Sequence, residues 1–156
     1  MVQMSHLHFW FTDCVKGFGH VALQTDNSYI SFWPCDDLKS VFRAIGGCPG
    51  KWFDSFEEEI DAKGYPNKTL HVSDLDTSKI EKWWKQFKSA KPHWNLSSQS
   101  CSSVVYQALS EGSDEFKNRV DGPITPSLVV KLVDSHIEKK KVKIWFGACK
   151  PCRDKT

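Results

Sequence analysis

Two side chains combine the chemistry and the setting of a covalent catalyst. One is Cys101, in Gln99-Ser100-Cys101-Ser102-Ser103-Val104-Val105, and the other is His20, in Gly19-His20-Val21-Ala22-Leu23-Gln24. The cysteine stands where a polar loop turns into an amphipathic helix. Its sulfur there meets unsatisfied N–H groups and the positive end of the helix dipole, and both favour the thiolate that attacks carbonyl carbon. Three and four residues before Val104 and Val105, it shares their helical face and points towards whatever that helix packs on. An imidazole beside the sulfur takes its proton, and a polar group behind the imidazole holds the tautomer. Each residue alone has an ordinary reading, because free cysteine packs well in cores and a strand histidine is commonly structural.

The elements that must bring the two together can be read from patterning. Asp26-Asn27 reads as a two-residue turn between strands at 20–25 and 28–33, with Pro34 ending the hairpin. In that register His20 opposes Trp33 and Ala22 opposes Ser31. His20, Ala22, Gln24, Tyr29, Ser31 and Trp33 then share one face, while Val21, Leu23, Ile30 and Phe32 make an apolar core face. Ser31 is the candidate third residue. Its diagonal Cα separation from His20, about 7–8 Å, is long for a serine hydroxyl, so a bridging water, Gln24 or Tyr29 are the alternatives. For the oxyanion, the Cys101 backbone N–H is the first donor, with the side chains of Gln99 or Trp94 as a second or as plain loop residues.

Around this pair, residues 6–11 read as a strand and 12–19 as a loop. Weak helices are expected at 36–45 and 53–62, and a strand at 69–72. Ser78-Lys79-Ile80-Glu81 has the form of a capping box opening a helix to Ser89, whose Ile80, Trp83, Trp84 and Phe87 stripe is core. The Cys101 helix runs to Gly112. Thr125-Pro126 opens another helix, carrying Val129, Leu132, Val133 and Ile137 inward, and residues 142–146 look like a last strand. The five other histidines read as surface or satisfied core. The expected fold class is α+β, a small antiparallel sheet packed against helices in one domain spanning 1–156, with 147–156 a tail.

Bulk properties exclude some functions. The 156 residues are 40% hydrophobic and 13% aromatic, with seven Trp, enough for one core without disulfide support. Lys plus Arg (21) nearly balances Asp plus Glu (19), and Lys139-Lys140-Lys141 is too short for a polyanion footprint, so nucleic acid is not an expected partner. No apolar run of about 18 residues and no basic-then-apolar leader is visible, which predicts a cytoplasmic protein without stable membrane insertion. No cofactor and no metal are expected at the Cys101 site. Cys149-Lys150-Pro151-Cys152 has C-x-x-C spacing, but a redox helix cannot be built from the four residues after it. A disulfide, a metal site using His6 and His8, or an inert tail remain for it.

The hairpin Gly19-His20-Val21-Ala22-Leu23-Gln24 with Tyr29-Ile30-Ser31-Phe32-Trp33-Pro34, followed much later by Ser100-Cys101-Ser102-Ser103-Val104-Val105, resembles the circularly permuted papain-like superfamily. That group contains lecithin:retinol acyltransferase and related thiol hydrolases, and places histidine before cysteine. The resemblance covers the hairpin and the Cys101 helix, with Ser100 where Asn is frequent and Ser31 where a longer polar group is common. It implies Cys101 as nucleophile, His20 as general base and Ser31 at the third position. The implied activity is a thiol hydrolase or acyltransferase working through an acyl-enzyme on a peptide, protein or lipid acyl substrate, with peptide or amide preferred because no lipid-anchoring segment accompanies the domain. The alternative is a non-catalytic binding module that uses a papain-like aromatic cleft for recognition.

Overall fold

The computed structural model describes residues 3–11, 19–35 and 46–148. In chain order the strands are β1 (Met4–Trp10), β2 (His20–Gln24), β3 (Tyr29–Ile30), β4 (Phe32–Trp33), β5 (Cys48–Pro49), β6 (Lys51–Trp52), β7 (Lys68–Ser73) and β8 (His93–Trp94). The helices are α1 (Phe56–Lys63), α2 (Thr77–Ser89), α3 (Cys101–Gly112) and α4 (Pro126–Ala148). Four strands form one antiparallel sheet in the order β3-β2-β1-β7, and the pairs β4–β6 and β5–β8 stand apart from it. The fold is mixed α+β, four helices with small antiparallel sheets among the described residues.

The hairpin closes in the expected register, with Leu23 opposite Ile30 and Gln24 opposite Tyr29. The Thr25 N–H donates to the Ser28 carbonyl at 2.8 Å and the Ser28 N–H to Thr25 Oγ1 at 3.0 Å, which satisfies the turn backbone. The ladder stops at Ile30. Beyond Ser31 the chain leaves β2 and pairs Phe32 with Trp52 and Trp33 with Lys51, so Trp33 is not opposite His20. On the other edge of β2, His20 pairs with Trp10 of β1. The departure lets Phe32 bury completely in the main core, and it frees the Ser31 hydroxyl to bond with side chains.

The sheet is covered on both faces, each for its own reason. Leu7, Phe9, Val21, Leu23, Ile30 and Val72 alternate onto one face and pack with Ile80 and Trp84 of α2, Val105 and Leu109 of α3, and Val129 and Val133 of α4. The opposite face carries Trp10, Ala22 and Tyr29, and Phe53 and Phe56 close over it at the start of α1. Gly112 is fixed by packing: a Cβ there would sit 2.6 Å from Ile80 Cδ1 of α2, so its missing side chain makes room for that residue.

Two expectations about element ends are corrected. The cap of α2 is Asp76, whose side chain accepts from the Lys79 N–H at 3.1 Å, two residues before the Ser78 expected as cap. The strand expected at 142–146 is helix, because α4 runs unbroken to Ala148. No glycine or proline interrupts the chain from Ser127 to Phe146, and its lysine-rich middle favours helix over the β-branched character of Val142 and Ile144. The helix expected at 36–45, most of the 12–19 loop and Cys149-Cys152 lie outside the described residues.

Candidate active site

The first helical position of α3 meets the first residue of β2. Ser100 caps the helix, its N–H donating to Ser103 Oγ at 2.8 Å, and Cys101 follows at the first position, where the backbone N–H has no partner within the helix. Cys101 Sγ lies 3.9 Å from the Gly19 carbonyl, and Cys101 lines one cavity with His20, whose imidazole is its electrostatic partner. The two residues, roughly eighty apart in the chain, are thus brought together, with His20 5% and Cys101 7% exposed.

Behind the imidazole stands Glu59, fully buried on α1. His20 Nε2 is 3.0 Å from Glu59 Oε1 and 3.1 Å from Ser31 Oγ, which leaves Nδ1 as the nitrogen for the sulfur. The Ser31 hydroxyl donates to Glu59 Oε1 at 2.6 Å, the Trp33 indole N–H donates to the same oxygen at 2.6 Å, and the Tyr29 hydroxyl donates to Glu59 Oε2. Both oxygens of this carboxylate are therefore hydrogen-bonded, which is how a buried charge is retained. The Trp33 ring also stacks on the imidazole, centroids 4.0 Å apart.

These contacts set the charges. Burial by itself pushes the His20 imidazole down, but the Cys101 sulfur and then the Glu59 carboxylate hold it up to about 9. Burial likewise favours the neutral Cys101 thiol, yet the imidazolium of His20, helped by the backbone N–H groups of Val21 and Ser102, brings it below the usual thiol range. Burial would raise Glu59, and His20, Ser31 and Tyr29 outweigh it and hold the carboxyl below its ordinary value. Burial and then the adjacent Glu59 charge push the Tyr29 hydroxyl far up, so it stays a donor. These shifts all lean the site towards thiolate and imidazolium, backed by a carboxylate.

The sulfur opens on a cavity of about 440 Å³ whose walls include Phe32, Trp33, Pro34, Trp94, Leu96 and Ile124. Ser102 Oγ donates to the Ile124 carbonyl at 2.7 Å and so ties this wall to α3. Trp94 borders the cavity, and its buried indole N–H has no hydrogen-bond partner among the described residues.

Of the residues singled out from sequence, His20, Ser31, Cys101 and Trp94 gather here. Ser31 touches the imidazole directly, so the long diagonal spacing is overcome by the break in the ladder after Ile30. Gln99 and Gln24 are engaged elsewhere: the Gln99 side-chain amide donates to the His93 carbonyl at 2.7 Å, and Gln24 Oε1 is 2.9 Å from His8 Nε2. His8 is a satisfied core histidine, with Thr69 Oγ1 at 3.0 Å on its other nitrogen. No group of three metal-ligating side chains exists among the described residues. No helix among them is long and apolar enough to cross a membrane.

Glu59 was missed. Glu59 falls within the weak helix expected at 53–62, three residues after Phe56 and one before Ile60, on the stripe that faces the sheet, while Glu57 and Glu58 are exposed. That position was the available signal. Searches against family models, curated proteins and solved structures found no match to the chain, so the chemistry below rests on this geometry.

Proposed function

We propose that this protein is a thiol-dependent hydrolase or acyltransferase, with Cys101 the nucleophile, His20 the acid and base, and Glu59 the residue that orients and charges the imidazole. The observation that carries this is the buried His20 Nε2–Glu59 Oε1 contact of 3.0 Å, on an imidazole that lines one cavity with a cysteine at a helix start. Burying a carboxylate completely is costly, and a chain needing only a packed core has cheaper side chains for that place. Ser31 then supports the carboxylate and the ring together. The order of histidine and cysteine, and the strand-then-helix setting of each, fit the permuted papain-like arrangement.

In this reading the thiolate adds to the carbonyl carbon of an amide, ester or thioester seated in the cavity. The new S–C bond leaves a negative oxygen, for which the Cys101 backbone N–H is a donor and the unpartnered Trp94 N–H a second. Collapse breaks the bond to the leaving group, which takes the proton from His20 and departs, leaving an acyl-thioester on Cys101. Water or another acceptor then loses a proton to the now neutral His20, attacks the thioester, and the thiolate leaves as imidazolium re-forms. The apolar cavity walls exclude bulk water and strengthen the charges around the sulfur.

Incubation with 4-nitrophenyl hexanoate, followed by mass analysis of the intact protein and its peptides, tests the assignment. One hexanoyl group on Cys101, with nitrophenolate released in step and no adduct in Cys101→Ser or His20→Ala, is the expected result. Acylation spread over several thiols at the rate of free cysteine refutes it.

A further inference from the structure

Beside the Cys101 cavity lies a second one, also about 440 Å³, and Trp33 and Pro34 line both. The walls differ in kind. Apart from Cys101 and His20 the first holds no charged side chain among the described residues, whereas the second is built from the rings of Trp33, Trp52 and Phe53 with Lys51 and Lys63, and among the described residues no acidic side chain lines it. Lys63 ends α1, the helix that carries Glu59, and its Nζ sits 4.5 Å over the Trp33 ring. Among the described residues Lys63 makes no ion pair with a carboxylate, so the indole positions this ammonium without neutralising it. Because the Trp33 ring also stacks on His20, the positioned cation and the catalytic imidazole share one aromatic wall.

We propose that the pocket of Trp33, Trp52, Phe53 and Lys63 is a binding subsite for an anionic group carried on a flat apolar body, such as an aromatic carboxylate. It recognises the leaving-group or acceptor end of the substrate, while the uncharged acyl end lies in the Cys101 cavity. That role rests on the reading of Cys101 and His20 given above, but the binding does not. Flat apolar surface packs against the rings of Trp52 and Phe53, and the carboxylate meets Lys63 Nζ in a charge-assisted hydrogen bond. A neutral amide of the same shape gains only the stacking.

The binding is tested by calorimetric titration of Cys101→Ser with 2-naphthoate and with 2-naphthamide at low salt. Naphthoate is expected to bind about tenfold tighter, with the difference erased in Lys63→Ala, kept in Lys63→Arg and weakened by added salt. Equal affinities, no binding of naphthoate, or a preference indifferent to Lys63→Ala overturns the proposal. The role is tested in the wild-type protein by comparing acylation by 4-nitrophenyl hexanoate and by its 3-carboxy derivative. Faster acylation by the carboxylated ester, lost in Lys63→Ala, supports it, whereas acylation of Cys101 without that preference overturns the subsite and leaves the nucleophile standing. Naphthoate binding without any acylation overturns the hydrolase reading and keeps the anion site.

Discussion

Replacing Glu59 by Gln removes one charge and almost no volume, and it separates orientation from electrostatics at the centre of the site. The amide keeps an oxygen for His20, Ser31 and Trp33, and the Tyr29 hydroxyl turns to accept from the new NH₂, so the fold has no reason to fail. What is lost is a charge-assisted hydrogen bond over 3.0 Å in a dry setting. Such a bond contributes about 1.5–3 kcal/mol, or about one to two pK units at 1.36 kcal/mol each. The imidazole falls from about 9 by that amount, and the proton shared with Cys101 moves back towards sulfur by the same factor. Alkylation of Cys101 by iodoacetamide, followed by mass analysis of its peptide from pH 5 to 10, reads the thiolate directly. Wild type should label at a nearly constant rate through neutral pH. Glu59→Gln should be about 10- to 100-fold slower at pH 6 and recover near pH 9.5, where an ordinary thiol ionises unaided. Equal rates at pH 6, with an unchanged melting temperature, would refute the claim that Glu59 holds the ion pair.

Other outcomes follow from the same coordinates. His20 has a raised pKa in the folded state, so its contribution to stability is complete below its ordinary 6.5 and is lost as pH rises through about 9. Denaturant unfolding should therefore show a loss of at most about 3 kcal/mol between pH 6 and 9.5, and His20→Ala should flatten it. Trp94→Phe keeps an aromatic ring and removes the unpartnered N–H; under the proposed mechanism, in which that donor meets the developing oxyanion, turnover of a cleaved ester should drop about 10- to 100-fold with little change in KM. Equal loss in kcat and gain in KM would point instead to a packing role. Gly112→Ala drives a methyl to 2.6 Å from Ile80 Cδ1 and should cost about 1–3 kcal/mol in urea unfolding while leaving Cys101 alkylation unchanged.

The parts of the site legible in the chain were those governed by local rules. A two-residue turn sets hairpin register, so the face holding His20, Tyr29, Ser31 and Trp33 followed from counting alone, and all four indeed meet Glu59 or each other. A cysteine after a polar loop and before an apolar stripe marked a helix start, and α3 begins at that residue. Helix stripes at 80–87 and 129–137 were equally visible because helical periodicity repeats over several turns. Short pairings such as β4–β6 and β5–β8 were not, since two residues carry no period. The run at 142–146 misled because strand propensity is weak beside the continuity of a helix that runs 23 residues from Pro126 to Ala148.

What the amino-acid order determined by itself was therefore which residues were available for chemistry and which face of its own element each one occupied. Only the tertiary structure decided that α1 lies over the polar face of the hairpin, and hence that Glu59, alone of three consecutive glutamates, is driven inside to meet His20. The reason is physical: facing and register are set by neighbours within a turn or a ladder, whereas the partner of a buried charge is set by how two elements dock. That docking energy is spread over rings such as Phe53, Phe56 and Trp33 and leaves no pattern at the position of the carboxylate itself.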